Sequence, residues 1–305
     1  MAEFKAGKLA LDAMHKAGGN IEAEDIAKSL WTGLRHQPPA WLRDESELHI
    51  GLLYSLTDIF EIRGEYDKAL ELYVQCLEVQ QRVGDEHGAA KTLNNMGGVH
   101  LSRGKYDKAL ELFGQCLEVK QRVGDEHGAA QTLNNMGLVH QARGEYDKAL
   151  ELYGQCLEVF QRVGDEHGAA QTLGNMGLVH QAREEYDKAL MLHVRSLKIF
   201  QRVGDEHGVS RTLNNMGNVH QACGEYDKAL KLLGQSLKVK QRVGDKHGAA
   251  RSLFGIARVH AQLGHLTEAR RSAGEALALF QKVGDKPALQ TVQEFLDELQ
   301  ATRTE

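Results

Sequence analysis

Proline is almost missing from this chain. Three prolines occur in 305 residues, and none lies between Ala40 and Asp285, so long helices meet no ring that removes a donor or clashes with the preceding turn. Aromatic residues are scarce, at 6% against a hydrophobic total of 42%, and mean hydropathy is −0.43. Such a composition suits thin, well-solvated layers better than one large core. Positive charge is not in excess: 37 Lys and Arg against 42 Asp and Glu leave a net charge of −5. A general nucleic-acid binder should be basic. No stretch approaches the eighteen or so apolar residues of a membrane span, and Met1 to Leu11 lacks the apolar centre of a signal peptide.

Cysteine is also sparse. Cys76, Cys116 and Cys156 recur at one place in a repeating pattern, and Cys223 sits elsewhere. No pair has metal-ligand spacing such as C-x-x-C. Buried reduced thiols fit best and point to a reducing, cytoplasmic setting. Catalytic signatures are missing as well: there is no phosphate-binding Gly-rich loop, no H-E-x-x-H and no G-x-S-x-G. The sequence calls for no cofactor and no metal, and the expectation is a protein that is not an enzyme.

What is abundant is self-similarity. Gly-Glu-Tyr-Asp-Lys-Ala-Leu begins at Gly64, Gly144 and Gly224, with a Lys variant at Gly104 and Glu184 in the Gly place of another copy. Arg-Val-Gly-Asp-Glu-His-Gly begins at Arg82, Arg122, Arg162 and Arg202, with a Lys variant at Arg242, and the period is 40 residues throughout. The units starting at 104 and 144 differ only at Lys105/Glu145, Phe113/Tyr153, Lys120/Phe160 and Asn134/Gly174. Likeness of this degree points to recent duplication or deliberate construction.

Within one unit, Leu133, Met136, Val139 and His140 follow helical spacing. Tyr146, Ala149, Leu150, Tyr153, Cys156, Leu157 and Phe160 draw an apolar stripe along a second helix. Gly144 falls between the two, where a positive φ is usually needed. Gly164 suits a helix end and Asp165 the N-cap of the next helix. Each unit therefore reads helix, turn, helix, turn, with helices of about 17 residues and roughly 25 Å. One thin pair cannot bury its own stripe, so neighbours must stack.

Leu133, Met136, Gly137 and His140, followed by Gly144, Tyr146, Ala149 and Tyr153, resemble the tetratricopeptide pattern W-x-x-L-G-x-x-Y…A-x-x-x-F. The departures are Leu for Trp, His for Tyr, no closing Pro, and a unit of 40 residues. A unit of that length with Gly-Asp between repeats resembles the subfamily of the Pins/LGN adaptors. The resemblance runs from about Leu48 to Val283 and implies an all-α fold, a right-handed superhelix. The expected organisation is an N-terminal cap or degenerate repeat over 1–45, six repeats over 46–283, and a capping helix over 284–305. The first helices fall near 48–62, 86–102, 126–142, 166–182, 206–222 and 246–262.

The resemblance also implies that the first helix of each unit lines a concave groove. Its non-core positions read Asn94-Asn95, Asn134-Asn135, Gly174-Asn175 and Asn214-Asn215. Asn is a poor helix former, whereas an amide offers donors and an acceptor to a peptide backbone whatever its side chains. Asn95, Asn135, Asn175 and Asn215 match the place of the asparagine ladder with which some tetratricopeptide proteins hold extended peptides. Bonding between neighbouring repeats would explain them equally; Asn94, Asn134 and Asn214 have less structural excuse. One turn earlier the series is Lys91, Gln131, Gln171, Arg211, Arg251; one turn later it is Gly98, Leu138, Leu178, Asn218, Arg258. The groove thus becomes basic toward its C-terminal end, which suits acidic side chains or a terminal carboxylate. Solvated arginines on an acidic protein are the plainer account.

Ten of the 15 histidines form two ladders: His100, His140, His180, His220 and His260, and His87, His127, His167, His207 and His247. Members lie a repeat apart, so they read as packing and capping groups, not as converging metal ligands. The recurring Tyr-Asp-Lys at 146–148 and its counterparts reads as a helix start, with Asp favouring the helix dipole. The function expected is a scaffold holding an extended or helical segment of another protein, with no nucleic-acid or membrane partner. Two alternatives stand beside it: self-assembly into homo-oligomers through near-identical units, and the sensor region of a larger STAND-type signalling ATPase.

Overall fold

The computed structural model describes residues 46–62 and 64–301. The expected N-terminal cap over 1–45 lies outside the described residues. Thirteen helices and no strand occur among the described residues: α1 (Ser46–Ile62), α2 (Tyr66–Val83), α3 (Glu86–Ser102), α4 (Tyr106–Arg122), α5 (Glu126–Ala142), α6 (Tyr146–Val163), α7 (Glu166–Ala182), α8 (Tyr186–Val203), α9 (Glu206–Ala222), α10 (Tyr226–Arg242), α11 (Lys246–Gln262), α12 (Leu266–Val283) and α13 (Lys286–Ala301). The odd-numbered helices up to α11 are the first helices expected from the spacing. The chain divides into two compact units, one up to Lys148 and one from Ala149.

The turns follow from single residues. Gly144 takes φ +74°, and its N–H returns to the Gln141 carbonyl at 3.0 Å while Glu145 N–H reaches His140 O at 2.9 Å. This reversal satisfies carbonyls left open at the helix end. Glu184, an L-residue where its counterparts carry glycine, takes φ +60°; its N–H reaches Gln181 O at 3.0 Å and Glu185 N–H reaches His180 O at 2.9 Å. At the other turn, Asp85, Asp125, Asp165, Asp205 and Asp245 each accept from the backbone N–H of the glycine three residues on, at 2.7–2.9 Å. The capped glycine has no room for a side chain: a Cβ on Gly128 would lie 2.0 Å from Asp125 Oδ2.

In the first unit, α1 and α2 close around Leu52, Leu53, Leu56, Phe60, Leu72 and Cys76. The next layer joins Tyr73 of α2 to Leu93 and Met96 of α3 and to Leu112 and Cys116 of α4. Gly97 lets α4 approach α3, since a Cβ there would meet Phe113 Cε1 at 2.6 Å. In the second unit, Gly177 against His193 and Gly217 against Leu233 repeat this contact at 2.6 and 2.8 Å. Helix α13 lays Val292 and Leu299 against the second unit's last pair, with Val292 among Leu253, Ala276 and Phe280.

The expected stripe needs one correction. Ala149, Tyr153, Cys156 and Phe160 are buried, but Tyr146, Leu150 and Leu157 are only half-buried. A residue on the edge of the stripe keeps one side in water, so Leu150→Ala costs less than a fully enclosed leucine would. Burial pushes the Cys76 and Cys156 thiols up to about 12, which makes them unreactive packing groups.

Candidate functional site

The first helices carry their polar residues into two clefts, one in each unit. The cleft of the first unit, about 440 Å³, is lined by Asn94, Asn95 and Asn135 with Asp58, Glu61 and Tyr73. The amide of Asn135 donates to Asn94 Oδ1 at 2.9 Å. Asn95 bonds the Tyr73 hydroxyl, which itself donates to Glu61 Oε1 at 2.7 Å. Burial raises the Glu61 carboxyl above its ordinary value. Each of these amides thus already has a partner within the chain.

The cleft of the second unit, about 520 Å³, lies among α7, α9 and the end of α10 against α11. Gln171, Arg211, Asn214, Asn215, Lys240 and Arg251 line it, together with His167, His207 and His247. Asn214 is buried, and its amide oxygen accepts from Ser252 Oγ at 3.0 Å. The expectation that the first Asn of each pair has less structural reason is corrected at Asn94 and Asn214, both of which bond the neighbouring repeat. Asn215 is different. The place that Asn94 fills opposite Asn135 is Gly174 opposite Asn215, so no amide faces it. Its side chain is half-exposed and makes no hydrogen bond to another described residue.

Charge is also distributed unevenly. The outward arginines are tied down across one repeat: Arg103 to Asp67 at 2.5 Å, Arg143 to Asp107 at 2.6 Å, Arg202 to Glu166 at 2.8 Å and Arg242 to Glu206 at 2.9 Å. The Asp of Tyr-Asp-Lys thus has a second task beyond the helix dipole. Arg211 and Arg251 form no ion pair among the described residues; Arg211 instead rests 5.8 Å over the Phe200 ring. Asp205 Oδ1 caps Gly208 while its Oδ2 meets His167 Nε2 at 3.1 Å; Asp285, whose carboxyl Arg251 helps to hold down, accepts from Ala288 N–H at 3.0 Å and meets His247 Nε2 at 2.9 Å.

Lys240 was missed by the sequence reading. It is only 5% exposed, and its ammonium donates to Ser252 Oγ at 3.0 Å. Burial pulls its amine down to about 8. The signal was present: the same place in other units holds Gln80, Lys120, Phe160, Phe200 and Phe280, and Phe160 belongs to the buried stripe. Lys120 satisfies itself on the Gly128 carbonyl at 2.9 Å.

The remaining candidates are scattered. Lys91 is exposed with its ammonium 5.1 Å over the Tyr54 ring. Gln131 and Arg258 are exposed, while Asn134, Asn175 and Asn218 are half-buried. Three members of one histidine ladder close their helix pairs: His140 Nδ1 meets Glu145 at 2.8 Å, His180 meets Glu185 at 2.6 Å, and His220 pairs with Glu225. Lys148 and His140 hold the Glu145 carboxyl down to about 2. No described helix is long and apolar enough to cross a membrane.

These features define a helix-pair repeat scaffold of the protein-interaction kind. The tetratricopeptide repeat family matches residues 51–122, 128–202 and 208–282. The chain belongs to the tetratricopeptide repeat family, and its fold is that of an all-α tetratricopeptide solenoid. Among solved structures it is similar to a Rap protein complexed with competence and sporulation factor, at 13% identity and TM-score 0.62, over 99% of this chain and 98% of that one. It is also similar to BtubC from P. vanneervenii, at 21% identity and TM-score 0.57, over 79% and 92%. A third is the STAND protein with a tetratricopeptide repeat sensor from Pyrococcus horikoshii, at 15% identity and TM-score 0.63, over 91% of this chain and 43% of that one. No curated protein matches the chain.

Proposed function

We propose that this chain is a non-catalytic adaptor that holds an extended or helical segment of another protein along its first-helix face. The observation that carries this is the cleft of the second unit. Asn215 there presents an amide with no partner in the described chain, and Arg211 and Arg251 beside it form no ion pair among the described residues. An amide can bond a peptide backbone irrespective of sequence, and arginine pairs with carboxylates through two parallel bonds. The segment is therefore acidic, or ends in a carboxylate, where it meets α9 and α11. Gln171, Asn175, Asn218 and Arg258 are further candidate contacts in the second unit, and Lys91, Asn95, Gln131 and Asn135 are the candidates of the first.

The 40-residue unit with its Gly-Asp junction supports a place beside the Pins/LGN adaptors. Residues 46–283 are the working array, and α13 caps its C-terminal end. A second reading, the sensor part of a larger signalling ATPase, draws on the likeness to the Pyrococcus horikoshii protein, of which this chain covers 43%.

The test is affinity capture with the wild type beside Asn215→Ala and beside Arg211→Glu combined with Arg251→Glu, each checked for unchanged helicity and melting. A prey captured by the wild type and lost by both variants, then rebound as a purified segment, supports the reading. Capture that all three proteins share equally ends it.

A further inference from the structure

We propose that the cleft among α7, α9, α10 and α11 is a binding site for a phosphate-monoester dianion, held by Arg211, Arg251 and the buried Lys240. This deepens, and rests on, the reading of the first-helix face as the ligand-bearing surface. It adds a ligand chemistry that the acidic-segment reading lacks.

The case begins with charge. Three cationic groups line one cleft of about 520 Å³, and none of them has an ion pair among the described residues. At other repeat positions Arg103, Arg143, Arg202 and Arg242 are paired with carboxylates across the repeat. Asp205 and Asp245 also line this cleft, yet each is engaged by the helix it caps, through Gly208 N–H at 2.9 Å and Gly248 N–H at 2.7 Å. The caps also close the two helix N-termini, so the anion must be held by side chains.

Lys240 decides the matter. A lysine only 5% exposed is costly unless the donors of its ammonium are used. Here one donor reaches Ser252 Oγ, and the hydroxyl in turn donates to Asn214 Oδ1 while lying 3.1 Å from Ser236 Oγ. The α2–α3 joint holds a neutral counterpart, with Thr92 Oγ1 donating to Gln80 Oε1 at 2.7 Å and lying 2.7 Å from the Tyr54 hydroxyl; at α10–α11 the central group is a cation. The corresponding joint around Lys120 has Cys116 and Thr132 in place of the two serines, and its lysine ends on a backbone carbonyl. At the α10–α11 joint the network fixes the Lys240 stem and leaves further N–H bonds to be made toward the cleft. Asp205 and Asp245 offset part of the positive charge, and a lone carboxylate has two oxygens for the three cationic donors. A phosphate monoester carries close to two negative charges at neutral pH and three strong acceptor oxygens, one for each cation, and the Asn215 amide supplies a further donor.

The experiment is titration of the full chain at pH 7.5 and constant ionic strength with inorganic phosphate, acetate, and a blocked phosphoserine tripeptide. Binding is followed by isothermal calorimetry and by the amide signals of Gly208 and Gly248. Saturable binding of phosphate and phosphopeptide, with acetate failing to saturate, is expected. Lys240→Met and Arg211→Gln should each weaken it about tenfold, the loss expected for one charge-assisted hydrogen bond. Tighter binding of the tripeptide than of phosphate identifies a modified protein side chain as the source, and equal binding identifies a small phosphate compound. Absence of saturation, equal response to acetate, or full affinity in Lys240→Met overturns the proposal. Those results leave the capture of a partner through Asn215 untouched, so failure here is distinguishable from failure of the groove reading. Lys240→Gln, which keeps a donor and loses the charge, serves as the second variant if the Met form does not fold.

Discussion

The side-chain amide of Asn135 on α5 donates to the amide oxygen of Asn94 on α3 at 2.9 Å, joining the first helices of successive repeats. Both groups are half-buried, so each is a stacking element as well as a candidate ligand contact. Replacing either by Ala should cost about 1 kcal/mol, the usual net value of one such bond. The double variant should cost little more than either single one, because contacting residues do not act additively. Denaturant midpoints of the four proteins test this. Additive losses would show that the pair is not coupled.

That pair marks where the sequence stopped being legible. The period, the helix bounds, the Gly turns and the Asp caps all came from strings that recur, because each states a local rule of backbone geometry. The asparagines recur too, but their roles depend on what stands 41 residues earlier: Asn94 for Asn135, Gly174 for Asn215. Lys240 was overlooked for a related reason. A lysine on a buried stripe breaks the hydrophobic pattern, and only packing reveals that its ammonium stays inside the joint.

Glu184 occupies the turn place that its counterparts give to glycine, with φ +60°. An L-residue in the left-handed region crowds its own Cβ against the following carbonyl, at roughly 1–2 kcal/mol. Glu184→Gly should therefore stabilise the α7–α8 hairpin by about 1 kcal/mol, less the greater entropy of glycine in the unfolded chain. Hydrogen exchange of the α7 and α8 amides reads this locally. Unchanged or faster exchange would contradict it.

His193 of α8 is fully buried with neither ring nitrogen bonded to a described residue. Other units place Tyr73, Phe113, Tyr153, Leu233 or Ala273 there. Burial lowers its imidazole to about 4, against an ordinary 6.5. The folded state thus holds the neutral ring, and the unfolded chain binds the proton first as pH falls. Stability is intact above 6.5 and declines between 6.5 and 4 by up to about 3 kcal/mol. His193→Phe should remove that decline while leaving stability at pH 8 equal or higher. Urea midpoints at pH 8, 6 and 4.5 check it, and a parallel decline in the variant would assign the acid sensitivity to other groups.

Lys240 presents the same conflict at the opposite end of the pH scale. Its amine is lowered to about 8 from 10.5, so between those values the unfolded chain carries the proton that the folded chain has released. Stability should rise as pH climbs from 8 to 10.5, by up to about 3 kcal/mol, with no contribution from this group to the pH dependence below 8. Lys240→Phe, which restores the residue of Phe160, Phe200 and Phe280, should raise stability at pH 7 by about 1–3 kcal/mol, since replacing a buried charge by packed apolar groups often does. It should also abolish the alkaline rise. If the cleft binds phosphate through this ammonium, the stabilised variant must lose that binding while its fold improves. A Lys240→Phe protein that melts higher and no longer answers to phosphate would show that the charge is kept against the interest of stability. One that melts no higher would show that the joint already accommodates its lysine.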